Sequence, residues 1–296
     1  MARLNGKAHP TGSDPAGSDP AGADPKGKTN GTEKPVQASG KLTIPARRQV
    51  KTAGEAGTTS ILLATPSYRD SFCSDYVNSL MALSRWTQHQ GIGLRTHFFN
   101  YADIAATRNI LLTQFWHGPA QATHLLFVDD DMGFPRQLVT DALALDEDVV
   151  GAFYSKRQVD LAKLHAAGGV GFETAKARAA GFVGKQARVS QTRGRFVTAD
   201  YVGTGFMLIR RSAIARLIEA QPKLVSPNRY NGVFGDQKHP SWITAFDRIR
   251  IKGVEYSEDY AFCLRWRQAG GQIWAARDAV LPHNGQIRVT ARHDAL

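Results

Sequence analysis

From Thr59 onwards, short apolar runs alternate with longer segments of helical periodicity, and no other feature of the sequence restricts the fold as strongly. The apolar runs cover residues 60–65, 94–99, 124–128 and 148–153, and the helical segments include residues 71–90 and 103–115. Strands that alternate with helices form mostly parallel sheets with right-handed crossovers. The sequence therefore predicts an α/β, Rossmann-like fold with a mostly parallel central sheet flanked by helices.

The second half of the chain is less regular. Residues 195–210 indicate two strands that are interrupted at Gly203-Thr204-Gly205, and residues 212–220 indicate a helix. A long segment of loop composition, residues 223–250, precedes a last helix that we expect to begin at Ser257. We accordingly divide residues 59–296 into a nucleotide-binding half, 59–155, and an acceptor and catalytic half, 156–296.

The first 58 residues have a different composition. They repeat Pro, Gly and Asp at a period of about five residues, and such a segment cannot bury enough apolar surface to offset the entropy of ordering. We expect residues 1–58 to be a disordered low-complexity extension. An alternative is a basic tether that uses Lys41, Arg47, Arg48 and Lys51 on an anionic surface.

Charge and cysteine content narrow the class of protein. The chain carries 37 Lys and Arg against 26 Asp and Glu, a net charge of +11, which favours anionic partners. Two cysteines, Cys73 and Cys263, rule out a disulfide framework. No apolar run reaches the length of a transmembrane segment. We expect a soluble cytoplasmic protein, at most peripheral to a membrane.

Three consecutive aspartates, Asp129-Asp130-Asp131, directly follow the third apolar run. Open α/β sheets bind ligands beyond the carboxyl ends of their strands, and adjacent carboxylates repel one another unless a cation intervenes. In an extended segment, Asp129 and Asp131 would share one face and Asp130 would point away. Carboxylate oxygens suit Mg²⁺ or Mn²⁺. A solvated acidic turn or a helix cap would explain the same residues.

The segment Phe127-Val-Asp-Asp-Asp-Met132 resembles the DxD motif of nucleotide-sugar glycosyltransferases with the GT-A fold, in particular a family-2-like group. Further motifs of that group recur in the same order. They are Ala64-Thr65-Pro66, Arg108-Asn109, Tyr154-Ser-Lys156-Arg157, Gly203-Thr-Gly205-Phe206, Ser257-Glu258-Asp259-Tyr260 and Pro282-His283-Asn-Gly285. The resemblance covers residues 60–285 and implies a GT-A fold.

The resemblance also implies which residues bind the nucleotide-sugar donor. These candidates are Thr65, Pro66, Tyr68, Arg108, Asp129, Asp130, Lys156 and Arg157. The first three would lie near the nucleoside, Arg108 near the base or a phosphate, and the basic pair near the leaving group. A surface helical arginine and a pair of surface basic residues are the alternative interpretations of Arg108 and of Lys156-Arg157.

The remaining chemistry implied by the resemblance is metal binding and general-base catalysis. Asp131 would ligate the metal, Asp129 would contact the ribose or, through water, the metal, and His283 would be a further ligand; an imidazole ligand favours Mn²⁺ over Mg²⁺. Asp259 matches the ED motif of inverting enzymes and would remove the acceptor's hydroxyl proton. Glu258 is the rival base, and simple helix capping would explain both carboxylates.

The acceptor site is the least constrained part of the sequence. Residues 230–247 are rich in aromatic and polar side chains, which suit sugar rings, and a loop that merely covers the core would have a similar composition. Our acceptor candidates are Gly205, Asp236, Trp242 and Asp247. The glycines at 203 and 205 would permit close approach of a ligand or mark an ordinary bulge.

These observations predict a metal-dependent, hexosyltransferase-like glycosyltransferase. It would transfer a sugar from a UDP- or GDP-linked donor to a carbohydrate or other hydroxyl acceptor, with inversion favoured. One alternative is a phosphohydrolase or nucleotidyltransferase built on the aspartate cluster, although Asp129-Asp-Asp131-Met-Gly133 lacks the Thr or Val that follows the aspartates of haloacid-dehalogenase-type enzymes. Another is a non-catalytic basic nucleic-acid-binding protein, but no recognition motif accompanies the charge, so nucleic acid is not an expected partner.

Overall fold

The computed structural model describes residues 59–68, 71–118, 122–227, 230 and 239–285. The strands are β1 (Ser60–Ser67), β2 (Gly93–Asn100), β3 (His124–Val128), β4 (Val149–Ala152), β5 (Tyr154–Ser155), β6 (Phe182–Val183), β7 (Lys185–Gln186), β8 (Thr192–Arg193), β9 (Phe196–Tyr201), β10 (Phe206–Arg210), β11 (Val225–Ser226), β12 (Trp242–Ile243), β13 (Ile249–Ile251), β14 (Val254–Tyr256) and β15 (Ile273–Ala276). The α-helices are α1 (Ser74–His89), α2 (Ile104–His117), α3 (Arg136–Leu145), α4 (Leu161–Ala166), α5 (Phe172–Ala180), α6 (Arg211–Ala220) and α7 (Glu258–Gln268), and Pro222–Leu224 form a 3-10 turn. The predicted extension, residues 1–58, lies outside the described residues.

Nine of the described strands form one sheet in the order β2-β1-β3-β10-β4-β15-β9-β7, with β8 also paired to β9. Strands β1, β2, β3, β4 and β15 run in the same direction, and β10 and β9 run against them. Helices pack on both faces. The predicted α/β fold with a mostly parallel central sheet is confirmed.

Both faces of the sheet are covered by apolar side chains. On one face α2, α6 and α7 contribute Phe115, Leu217 and Trp266, and on the other face α1 and α3 contribute Tyr76 and Leu138. All five residues of β3 are buried, as expected for a central strand that is covered on both faces. The strand that carries the aspartates is therefore fixed in a packed core.

Local signals in the sequence correspond to observed helix and strand ends. Strand β3 has the predicted bounds, and Asp103 caps α2 through bonds from the amides of Ala105 and Ala106 to its carboxylate. Strand β1 continues past Pro66 to Ser67, where it pairs with β2. No helix in the described part of the chain is long and apolar enough to cross a membrane.

The segment after β15 returns to the carboxyl end of β3. Met132 and His283 form an antiparallel bridge, and the amide of Gly133 donates to the carbonyl of Pro282 at 2.8 Å. The amide of Asn284 donates to the carbonyl of Asp131 at 2.9 Å. These backbone bonds hold residues that are about 150 positions apart in sequence beside one another.

Candidate functional site

A cleft of about 450 Å³ opens at the carboxyl ends of β1 and β3. It is lined by Pro66, Ser67, Tyr68, Tyr101, Ala102, Ile104, Arg108, Asp129, Asp130, Asp131, Tyr154, Arg157, Val183, Thr204, Asp259 and His283. Ligands of open α/β sheets bind at this edge, because the strand ends and the loops that follow them converge there. The cleft therefore collects most of the polar residues that the sequence singled out.

The three aspartates form a turn, not an extended segment. Strand β3 ends at Val128, and the amide of Met132 donates to the carbonyl of Asp129 at 3.1 Å. The expected alternation of side chains is therefore wrong, because it applies only to extended backbone. Asp129, Asp130 and Asp131 all line the cleft.

Asp131 lies between two groups that can carry positive charge. Its Oδ2 accepts a bond from Nη1 of Arg157 at 2.7 Å, and its Oδ1 lies 3.6 Å from Nε2 of His283. The other ring nitrogen of His283, Nδ1, lies 2.7 Å from the carbonyl oxygen of Ser155. An Nδ1–H that donates to this carbonyl leaves Nε2 as an acceptor that faces the cleft, which is the usual arrangement of a metal-binding histidine.

Crowding of carboxylates makes the turn electrostatically unfavourable in the absence of a cation. Burial raises the pKa of Asp130, and the charges of Asp131 and Asp129 raise it further. Burial and the charge of Asp129 also raise the pKa of Asp131, although His283 and Arg157 act in the opposite direction. A divalent cation beside the turn would favour the ionised form of both carboxylates.

Arg108 connects the aspartate turn to the carboxylates of α7. The arginine is only 4% exposed, and its Nη2 donates to Oδ1 of Asp129 at 3.2 Å. Its Nε lies 3.2 Å from Oε1 of Glu258. Burial lowers the pKa of Arg108, but Asp129, Glu258 and Asp259 outweigh this effect and hold the pKa above its usual value. The interpretation of Arg108 as a surface residue is therefore wrong.

The two adjacent carboxylates of the last helix occupy different positions. Glu258 is buried behind the cleft against Arg108, whereas Asp259 lines the cleft. Ser257 stands at the N-cap, but its hydroxyl donates to the carboxylate of Asp259 and accepts no bond from a backbone amide of the helix. Burial and the charge of Glu258 raise the pKa of Asp259, while Ser257 and Arg108 lower it.

The glycines of Gly203-Thr204-Gly205 make room for a tyrosine. The amide of Gly205 donates to the hydroxyl oxygen of Tyr154 at 3.1 Å, and a Cβ added at Gly203 would lie 2.1 Å from that oxygen. The close approach is thus to Tyr154, so Gly205, which is buried and does not line the cleft, does not fit an acceptor role. Tyr154 and Tyr101 were missed as cleft residues; only their positions after strands in the sequence could have indicated them.

Several other predicted residues lie outside the cleft. Thr65 is fully buried, with its hydroxyl 2.6 Å from that of Tyr76, and Lys156 is exposed beside the cleft lining. Thr65 therefore supports the cleft from below and cannot touch a ligand there. Pro66, Tyr68 and Arg157 do line it.

The structure contradicts one acceptor prediction in the long second-half segment, that of Trp242. Trp242 is fully buried and packs edge-on against Tyr230, so its ring cannot stack on a sugar. Asp247 accepts a bond from Nδ2 of Asn109 at 2.8 Å, which ties this segment to α2. For Trp242, the loop interpretation in which the segment packs on the core is correct. Asp236 lies outside the described residues.

The predicted metal ligands are only partly assembled. The described residues contain no group of three or more His, Cys, Asp or Glu side chains placed to hold a metal ion together. Asp131 and His283 approach each other, while Asp129 is paired with Arg108. The donor set still fits a divalent cation, because a carboxylate oxygen and an oriented imidazole nitrogen face one space and such ions complete their shells with water and phosphate.

Comparisons with known proteins give only distant likenesses. No family model matches the chain, and no curated protein matches its sequence.

Three solved structures illustrate the level of structural similarity. A protein from STIV is 12% identical, with a TM-score of 0.40 over 79% of this chain and 100% of its own. The catalytic domain of Drosophila β1,4-galactosyltransferase 7, solved with xylobiose, is 14% identical, with a TM-score of 0.39 over 77% of this chain and 72% of its own. GalNAc-T7, solved with UDP, GalNAc and Mn²⁺, is 8% identical, with a TM-score of 0.38 over 77% of this chain and 43% of its own. Because these TM-scores lie below 0.5, the likenesses carry no argument about function.

Proposed function

We propose that this chain is a metal-dependent glycosyltransferase that transfers a sugar from a nucleoside-diphosphate donor to a hydroxyl group. One observation carries the proposal: a single cleft brings the aspartate turn, His283 and Arg157 together with the separate carboxylate of Asp259. The first group suits a cation and a diphosphate, and the second suits a general base. The proposed metal-dependent, inverting sugar transfer uses both functions around one reacting carbon.

The cleft offers different environments for the two ends of a nucleotide sugar. Pro66, Tyr68 and Tyr101 contribute apolar and aromatic surface, which suits a nucleobase. Asp131, His283 and Arg157 lie together at its charged part, which suits the diphosphate.

Asp131 and His283 are the residues that would hold the cation. Asp129, which is paired with Arg108, would be available as a further ligand. Bound there, Mn²⁺ or Mg²⁺ would neutralise negative charge on the departing nucleoside diphosphate. Arg157 provides positive charge at the same place through its guanidinium. Its pairing with Asp131 holds the side chain over the cleft before the donor arrives.

Asp259 is the proposed general base. It accepts the proton of the acceptor hydroxyl while that oxygen attacks the anomeric carbon and the bond from this carbon to the diphosphate breaks. Glu258 acts behind it: with Arg108, it fixes the start of α7 and therefore the position of Asp259. Attack from the side opposite the leaving group would invert the anomeric carbon.

A donor panel tests the proposed reaction directly. The full chain is incubated with Mn²⁺ and a set of UDP- and GDP-sugars, with simple sugars as acceptors, and released UDP or GDP is measured. We expect metal-dependent release from at least one donor, abolished by EDTA and restored by Mn²⁺. Hydrolysis of generic phosphomonoesters without any nucleotide release would contradict the proposal and favour the phosphohydrolase.

The matched control is a carboxylate outside the cleft. Glu173 is exposed on α5 and forms an ion pair with Lys176. Glu173→Gln should retain full release, whereas Asp131→Asn should lose at least about 90% of it, because one charged ligand of the cation is gone. Equal activity of both variants would remove Asp131 from the site.

A further inference from the structure

An excursion of the chain lies next to the cleft, between β5 and β6. These two short strands pair with each other, and the amide of Lys156 donates to the carbonyl of Gly181 at 3.3 Å. Residues 156–181 therefore leave and re-enter the fold at one place. We call residues 156–181, which contain α4 and α5, the helical excursion.

The helical excursion has almost no apolar core of its own. Only Ala175 and Ala179 are buried within it, and both are small. Several of its larger apolar side chains face solvent instead, with Leu161 73% exposed and Phe172 69% exposed. A helix pair normally hides such side chains between its members, so their exposure makes this surface a candidate contact site.

The turn between the two helices is free of charge over seven residues. Residues 166–172, which we call the tip, read Ala-Ala-Gly-Gly-Val-Gly-Phe. Val170 and Phe172 are both exposed there, and Gly169 has a positive φ of 84° that shapes the turn. An uncharged tip with exposed Val and Phe can enter an apolar phase without the cost of burying a charge.

Basic side chains outnumber acidic ones in the helical excursion that carries this uncharged tip. Residues 156–181 contain five Lys or Arg and two acidic residues. Both acidic residues are already paired on their own helices, Asp160 with Lys163 at 3.3 Å and Glu173 with Lys176 at 2.6 Å. Exposed apolar side chains flanked by a basic surplus match the chemistry of an anionic bilayer surface, which offers acyl chains and negative headgroups together.

We propose that the helical excursion docks on an anionic phospholipid bilayer, with the tip at the headgroup boundary and the Lys and Arg side chains of α4 and α5 on the lipid phosphates. Arg157 lies at the base of the excursion and pairs with Asp131 in the cleft. Docking would thus hold the cleft close to the membrane surface. Vesicle binding measures this inference alone, whether or not the cleft transfers a sugar.

Sedimentation with vesicles tests the docking surface. The full chain is spun with phosphatidylcholine vesicles and with mixed phosphatidylcholine–phosphatidylglycerol vesicles, and the bound fraction is measured at rising salt. We expect binding to the mixed vesicles only, weakened by salt. In the double variant Val170→Asp with Phe172→Asp, the vesicle affinity should fall about tenfold or more, because charge replaces the side chains that enter the boundary.

The matched control places the same change on exposed apolar residues of other elements. Met81 on α1 and Val254 in β14 are exposed, and the double variant Met81→Asp with Val254→Asp should bind vesicles like the unaltered chain. Thermal unfolding should be similar for both double variants, since all four side chains face solvent. No binding of the unaltered chain to anionic vesicles would overturn the proposal. Equal binding by the tip variant, or equal binding to neutral vesicles, would overturn it as well.

Discussion

At the scale of single residues, Arg108 forms ion pairs with both acidic motifs at the cleft. It is buried on α2 and contacts Asp129 on one side and Glu258 on the other. Two of its nitrogens, Nε and Nη1, make no hydrogen bond to any described residue, so the hydrogen-bonding capacity of this buried guanidinium is only partly used. Such an arrangement is typical of a functional site and not of a stabilising core.

Removal of Arg108 should destabilise the fold, because Glu258 would remain buried and unpaired. We expect Arg108→Met to lower the free energy of unfolding by about 3 kcal/mol or more, measured by urea unfolding. Adding Glu258→Gln to Arg108→Met should recover part of this loss. A double variant that is less stable than the sum of the single effects would show that the pair is not the cause.

Asp259 is the residue on which the chemical step should depend. Asp259→Asn should reduce kcat by about 100-fold or more with little change in the donor KM, because the amide cannot accept the proton. Glu173→Gln serves again as the exposed carboxylate control. An Asn variant with unchanged kcat would exclude Asp259 as the base.

The pH dependence of the same reaction gives a second measure of Asp259. Burial and Glu258 raise the pKa of this carboxyl, so the ionised base is lost as the pH falls through a value above that of an ordinary Asp. We expect kcat/KM to decline on the acidic side at that pH, and this limb to be missing in Asp259→Asn. If kcat/KM stayed constant down to the pH range in which unperturbed carboxyl groups titrate, the result would argue against Asp259 as a base with a raised pKa.

At the scale of secondary-structure elements, an arginine of α6 holds the end of α2, the helix that carries Arg108. The guanidinium of Arg211, at the start of α6, donates to the carbonyls of Phe115, Trp116 and Ala122 at 2.6, 3.0 and 2.8 Å. The first two carbonyls belong to the last turn of α2, which has no helical partners for them. A single side chain thus fastens α2 and the approach to β3 to α6.

The contribution of Arg211 to the free energy of unfolding can be measured by comparison with Arg216, which lies on the same helix. Arg211→Met keeps the aliphatic part of the side chain but removes three bonds, and we expect a loss of about 3 kcal/mol in the free energy of unfolding. Arg216 donates to one carbonyl, that of Ala269, from an exposed position, so Arg216→Met should cost less than about 1 kcal/mol. Equal losses in urea unfolding would contradict the anchoring role of Arg211.

At the scale of the whole molecule, sequence patterns predict features that depend on neighbouring residues. They miss contacts between residues that are far apart in the sequence. The bounds of β3 and the cap at Asp103 follow from periodicity and from side-chain chemistry within a few residues. The ion pairs of Arg108, in contrast, depend on the packing of α2 against β3 and α7. Trp242 lies in a segment that has the composition of a binding loop, but its side chain is buried in the core. Neither the ion pairs of Arg108 nor the burial of Trp242 can be predicted from the sequence of a single helix or strand.

The cleft shows the same division between local and distant information. The order of motifs along the sequence indicated a resemblance, and the backbone pairing of Met132 with His283 brings the imidazole beside Asp131. The turn at the aspartates was mispredicted as extended because hydrogen bonding beyond a strand end cannot be inferred from alternation. The raised pKa values of Asp130 and Asp131 arise from the folded arrangement and were not predicted from residue types alone.

Calorimetric titration of UDP and GDP into the full chain tests the central claim most directly, because it asks whether the aspartate turn and His283 form a cation-dependent diphosphate site. After metal removal with EDTA and dialysis, we expect one of the nucleotides to bind only when Mn²⁺ is added. Asp131→Asn should weaken this binding by about tenfold or more, and Glu173→Gln should leave it unchanged. Binding of equal strength without Mn²⁺, or binding that Asp131→Asn does not weaken, would contradict the account.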